Sequence, residues 1–225
     1  MFIGHFAVGF AAKRLTPRIS LGVLLAAPLL LDLLWPLFLA LGLESVRIEP
    51  GNTVVTPLDL HDYPYSHSML MASVWALAVG VAAGFWQKSR LAGTTVGALV
   101  WSHWLLDFVT HRPDMPLYPG SRTYLGLGLW NSLWGTLVVE LLMFGVGVGV
   151  YAMSTSAKNK RGSLGLCCFI ASLLALYLAA IFGPPPPNES ALISGGFGIL
   201  LLLAWGFWVD RHRVTSGPAA ATFPG

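Results

Sequence analysis

His103, Asp107 and His111 recur at every fourth position along Ser102-His103-Trp104-Leu105-Leu106-Asp107 and the residues just beyond it. On an α-helix that spacing lays the three side chains along one stripe. A His and an Asp one turn apart aim two ligands at a single ion, as the paired histidines of zinc enzymes do. A helix-stabilising His–Asp hydrogen bond has the same spacing, so the surroundings decide between the two. Here they are apolar, and an ionisable group at membrane depth must face the protein interior and find a partner, which marks a functional site.

Five of the six histidines and five of the six aspartates lie in the first 114 residues. Asp32 stands alone in Leu29-Leu30-Leu31-Asp32-Leu33-Leu34-Trp35-Pro36, with no adjacent base. Such a carboxylate must be neutralised by a proton, a cation or a metal. In His61-Asp62-Tyr63-Pro64-Tyr65-Ser66-His67-Ser68, Pro64 bars a helix before it. Ser66 is the expected N-cap, which places His67 in the first helical turn and leaves His61 and Asp62 in the preceding loop. His5 lies in a short apolar opening segment, and Glu140 is the one glutamate inside a predicted helix.

His5, Asp32, His67, His103 and Asp107 together offer three imidazoles and two carboxylates. That mixture suits zinc, and also manganese or iron, as one open catalytic ion or as two bridged ones. A divalent ion there activates water and polarises a phosphoryl or carbonyl oxygen, the chemistry of metal-assisted hydrolysis. Glu140 or Asp62 is then the group expected to handle protons. His61, His111 and Arg122 are placed to contact a substrate, Arg122 as a bidentate clamp on phosphate.

The elements that position these groups follow from composition. The chain has 225 residues, 55% hydrophobic and only 10% charged, with a mean hydropathy of +0.68. Soluble domains carry roughly 25% charged residues, so a water-soluble globule is excluded and an all-α polytopic membrane bundle is expected. Apolar spans fall near 19–43, 67–86, 91–111, 129–151, 164–183 and 191–209, which predicts about six transmembrane helices. Segment 2–12 covers only about half of a bilayer core, so it is a half-helix or an interfacial one. It lacks the charged opening of a signal peptide and is expected to stay in the mature protein.

Lys and Arg test this arrangement. Ten of the 13 fall in alternate loops and the C-terminal segment, leaving Arg47, Arg112 and Arg122 on the other side. The positive-inside rule then puts the C-terminus in the cytoplasm of a bacterial-type inner membrane and connections 44–66 and 112–128 outside. At about 1.5 Å per residue, Asp32, His67, His103 and Asp107 all reach the outer half of the bilayer. The scattered basic residues form no nucleic-acid-binding face. The expected organisation is a metal-site core over 1–151, two added helices over 152–213 and a disordered tail over 214–225.

The order Gly4-His5, an aspartate in the first long helix, His67-Ser68 opening the next, and Ser102-His103 with Asp107 one turn on resembles the YdjM family of membrane-bound metal-dependent hydrolases. The resemblance runs from about residue 1 to 140. The family's acidic pair around the first-helix aspartate is reduced here to Asp32, preceded by Leu30 and Leu31. Its later glutamate corresponds to Glu140, after Asn131-Ser132. The spacing is also similar to part of the active site of zinc-dependent phospholipase C. Those resemblances imply metal-dependent hydrolysis of a lipid phosphoester, with membrane lipids as partners. Two other readings use the same residues: a proton- or metal-coupled transporter, and a non-enzymatic protein with a structural metal.

Overall fold

The computed structural model describes residues 1–216, most of them helical. Four helical segments are long and apolar enough to cross a membrane: Met69–Trp86, Leu133–Ser154, Lys160–Phe182 and Glu189–Arg211. The chain is therefore an integral membrane protein. Large apolar side chains stand exposed along these segments, among them Leu77, Phe85, Leu142, Met153, Leu164 and Leu201. Water would not tolerate that surface, whereas lipid chains do.

The first expected span is not one helix. Pro28 lacks the N–H that would continue the ladder, so α1 (Ile3–Ala12) is followed by α2 (Leu21–Ala26), a break, and α3 (Leu30–Ala40). A connection follows, made of β1 (Ser45–Ile48), β2 (Leu58–Asp62) and the single turn α4 (Pro64–His67). The strands pair antiparallel, with Arg47 opposite Asp59 and Ile48 opposite Leu58. Helices α5 (Met69–Trp86) and α6 (Arg90–Thr110) form a close antiparallel hairpin. A Cβ on Gly80 would lie 2.9 Å from the Gly93 carbonyl oxygen, so only glycine permits that approach. Helix α6 has the length of a span, but His103, Asp107 and its threonines make it too polar to count on composition.

The pair β3 (Met115–Pro116) and β4 (Tyr124–Leu125) then leads to α7 (Leu133–Ser154) and β5 (Thr155–Ala157). Helix α8 (Lys160–Phe182), four consecutive prolines at 184–187, α9 (Glu189–Phe197), α10 (Ile199–Arg211) and β6 (Arg213–Thr215) complete the described chain. Strand β6 pairs with β5, so Val214 and Thr215 are ordered by a ladder where a tail was expected. Residues 217–225 lie outside the described residues.

Helix α1 sits at the centre. Eight of its ten residues are buried, and it packs on α7, α2 and α6. A Cβ on Gly147 would meet the Ala7 carbonyl oxygen at 2.3 Å, so α1 and α7 touch backbone to backbone. The largest buried cluster joins Ile3, Phe6 and Phe10 to Phe144, Phe169, Tyr177 and Leu203. The expected boundary at 151 thus falls inside α7, and the C-terminal helices share one core with α1. At the far end of α1, Lys13 is buried against Asp210 at 2.9 Å and the Ile19 carbonyl at 2.8 Å.

Candidate metal centre

Four elements deliver the polar cluster. Helix α6 supplies His103 and Asp107 and ends on His111, α1 supplies His5, the first turn of α3 supplies Asp32, and α4 ends on His67. All but Asp32 are buried. His103 Nε2 lies 2.9 Å from Asp107 Oδ2 and 3.2 Å from His67 Nε2. Asp32 Oδ1 is 3.7 Å from both histidine nitrogens, and His111 Nε2 is 3.6 Å from Asp107 Oδ2. On the other side of Asp107, Oδ1 faces His5 Nε2 at 3.0 Å and the Met1 amino group at 2.5 Å. The His5 and His103 rings stack with centroids 3.9 Å apart.

Hydrogen bonds on the far side of each ring fix where the protons are. His103 Nδ1 is 2.6 Å from the Pro28 carbonyl oxygen, an acceptor only, so Nδ1 carries the hydrogen. His67 Nδ1 meets Ser66 Oγ at 2.7 Å, and Ser66 Oγ gives its own hydrogen to Glu44 Oε2 at 2.7 Å. Nδ1 of His67 must therefore donate as well. His111 Nδ1 donates to Asp114 Oδ1 at 3.1 Å, and the Tyr63 hydroxyl donates to the same oxygen at 2.9 Å. In the neutral rings, the Nε2 atoms of His67 and His103 turn lone pairs toward each other and toward Asp32 and Asp107, and that of His111 toward Asp107.

Acceptors facing acceptors at these distances repel unless a second proton on one imidazole or a cation lies between them. Two overlapping sets of donors have metal-binding separations: His5, His103 and Asp107, and Asp32, His67 and His103. They share His103, so the arrangement fits one ion or a bridged pair. Imidazole nitrogens with remote N–H groups anchored on carbonyl or carboxylate acceptors are what zinc sites use to fix tautomer and orientation. Nδ1 of His5 is buried with no hydrogen-bond partner among the described residues.

Glu44 caps this support, taking Ser66 Oγ together with the backbone N–H groups of Tyr65 and Ser66 at 2.8 Å each. Burial pushes its carboxyl up from the ordinary range, against the pull of those three donors. Burial, reinforced by the Asp114 carboxylate, raises Tyr63 well above its ordinary value, so Tyr63 remains a neutral donor. A cavity of about 160 Å³ adjoins the cluster, lined among others by Asp32, Tyr63, His67, Asp107 and His111.

All five expected metal ligands are brought together, and His111, expected to touch substrate, joins them. His5 joins the cluster through Asp107. Glu140 is buried, but its Oε2 accepts from the Phe2 and Gly4 amides at 2.9 and 3.3 Å, holding the first turn of α1. Asp62 is exposed at the end of β2, and His61 turns away to Ser45 Oγ at 3.1 Å. Arg122 is exposed. Arg112 is tied to Asp59 and Asp114. The expected cap also differs: Ser68, not Ser66, caps α5 by accepting from Met71 N, because the Ser66 hydroxyl is spent on Glu44.

Sequence reasoning missed Glu44, Ser66 as a tautomer holder, Asp114 and the Pro28 carbonyl. Only the last left a signal, since a proline inside an apolar span frees backbone groups near the break. Comparison with protein-family models, with curated proteins and with solved structures finds no match to this chain.

Proposed function

We propose that this chain is a membrane-embedded, metal-dependent hydrolase acting on a lipid-linked phosphate ester, with zinc as the metal and manganese or iron as alternatives. One observation carries the reading: His67 and His103, with protons anchored outward, turn their Nε2 atoms toward Asp32 and Asp107 beside a small cavity, and His111 turns its own toward Asp107. The proposed topology counts α6 and the broken α2–α3 segment with the four apolar segments, giving six spans, a cytoplasmic C-terminus and a centre near the outer face. The resemblance to the YdjM family points the same way.

The ion would polarise the phosphoryl oxygen and ease loss of a proton from water. In the reaction, water's oxygen bonds to phosphorus, the P–O bond to the alcohol breaks, and one proton passes to the departing alkoxide. His5, Asp32, His67, His103 and Asp107 hold the metal in this reading. His111, with Asp114 and Tyr63 behind it and a cavity in front, suits the proton-handling role expected of Glu140 and Asp62. A structural metal alone would leave the adjoining cavity without a purpose. Transport would call for ionisable groups along the bundle, whereas His5 and its partners gather about 12 Å from Lys13, the next such group on α1.

The test is metal content by elemental analysis of detergent-purified wild type, His103→Ala and Asp107→Ala, beside phosphate release from phospholipid in mixed micelles. Near-stoichiometric zinc in wild type, lost in both variants together with hydrolysis, supports the proposal. Folded wild type without metal under chelator-free conditions overturns it and shifts the reading to proton-coupled transport.

A further inference from the structure

The space beside the donor cluster does not end at Asp32. Phe2, Asp32, Trp35 and Leu58 line the 160 Å³ cavity and also line a second one of about 620 Å³. That volume lies within the range of ligand pockets, roughly 300–1,000 Å³. Its walls come from three separate parts of the chain: the β1–β2 loop with Val54, Val55 and Pro57, the end of α8 with Ile181, and the α9–α10 segment with Leu192 and Ile199. Asp32 is the one charged side chain among its lining residues. No lysine, arginine or histidine is there to bind an anion, so the chamber suits an uncharged occupant.

Position narrows the occupant further. The walls from α8 and α9–α10 belong to two of the apolar membrane-crossing segments. The space lies at the ends of those segments beside the β1–β2 connection, where acyl chains reach and a mostly apolar wall offers water few polar partners. Its rim is formed by exposed Val54 and by the exposed Pro184 and Pro185, whose fixed φ angles resist collapse of the mouth. Of the acidic groups in the donor cluster, Asp32 is the most open, with 29% of its side chain exposed, and it stands where the two cavities meet.

We infer that the chamber binds one hydrocarbon chain of a membrane lipid, with the lipid's polar head reaching past Asp32 to the His67–His103–Asp107 cluster. That this lipid is the substrate rests on the hydrolase reading above. That a chain occupies the chamber does not. Trp35 and Phe2 form the collar between the two spaces and divide the polar head from the tail.

The experiment uses the full chain, reconstituted in vesicles containing phosphatidylcholine with a photoreactive diazirine midway along one acyl chain. Photolysis and peptide mapping should place label on residues 50–58 and 179–199 several-fold above the lipid-exposed face of α5. Ala180→Trp and, separately, Leu192→Trp should each reduce that label several-fold, with zinc content and unfolding midpoint unchanged. Label spread evenly over α5, α7 and α8, or insensitive to both substitutions, overturns the inference. Elemental analysis of the same samples separates the two readings. Chamber label without zinc keeps the chain site and removes the hydrolase, whereas zinc with even label removes the chain site alone.

Discussion

His103 Nδ1 lies 2.6 Å from the carbonyl oxygen of Pro28, so the proline that divides α2 from α3 also supplies the group that orients a buried imidazole. The break has two products. It sets Asp32 in the first turn of a new helix, and it offers an acceptor to a histidine 75 residues away. Pro28→Ala should let α2 run into α3 and return that carbonyl to the helical ladder. Zinc affinity, measured by competition with a chromophoric chelator, should fall about 10- to 100-fold, the usual cost of losing a ligand's orienting partner. An unchanged affinity would show that the carbonyl does not govern the ring.

Glu44→Gln probes a relay two steps from the centre. The new amide would present hydrogens to Ser66 Oγ, which would then turn its own hydrogen toward His67 Nδ1. The imidazole would answer by moving its proton to Nε2, where His103 and Asp32 stand. Zinc binding should weaken by about 10- to 100-fold while the helical circular dichroism stays constant. Ser66→Ala should weaken binding in the same direction, having removed the link itself.

Glu140 separates positioning from proton transfer. Its Oε2 accepts from two amides at the head of α1, and glutamine retains an oxygen for both. Glu140→Gln should therefore hold phosphate release close to wild type across pH. Glu140→Ala leaves the half-buried Phe2 N–H and the buried Gly4 N–H unpaired and should cost about 1–3 kcal/mol, read as a lower unfolding midpoint. A collapse of turnover in the glutamine variant, with the fold intact, would restore Glu140 as the proton carrier.

The contact between α1 and α7 gives a paired test. A valine at Gly147 would drive carbon into the backbone of Ala7, whereas Gly149 faces open space. Gly147→Val should destabilise by about 1–3 kcal/mol or more, and Gly149→Val by far less. Because α1 carries His5, zinc content should fall only in the first. Thermal unfolding monitored by tryptophan fluorescence and metal analysis would report both effects.

The helical membrane-protein class was readable from composition, and the His103–Asp107–His111 stripe from spacing, because both are local signals. Asp32 declared itself through the cost of a carboxylate among leucines. The supporting groups did not. Glu44 sits in a connection with no periodicity, and its value depends on a turn that brings Ser66 and His67 beside it. Helix α6 lies where the expected span at 91–111 put it, but the residues that give the site its chemistry lower its hydropathy below that of a plain span. The shared core between α1 and the C-terminal helices was hidden for another reason, since long-range pairing leaves no mark in a local pattern.

Helix α1 leaves the ribosome well before α6, α7, α8 and α10, which hold most of the groups it meets. His5 meets Asp107, its first turn hangs on Glu140, Phe2 stacks on Tyr177, and Lys13 closes on Asp210. Contacts so distant in sequence form slowly and only after the later segments have been inserted. Until then the segment has only α2 among its neighbours to pack on. A truncated or stalled chain then holds scattered histidines and no centre. In the metal-centre reading proposed above, loading with metal would follow insertion of those later segments and so separate a finished molecule from an abandoned one.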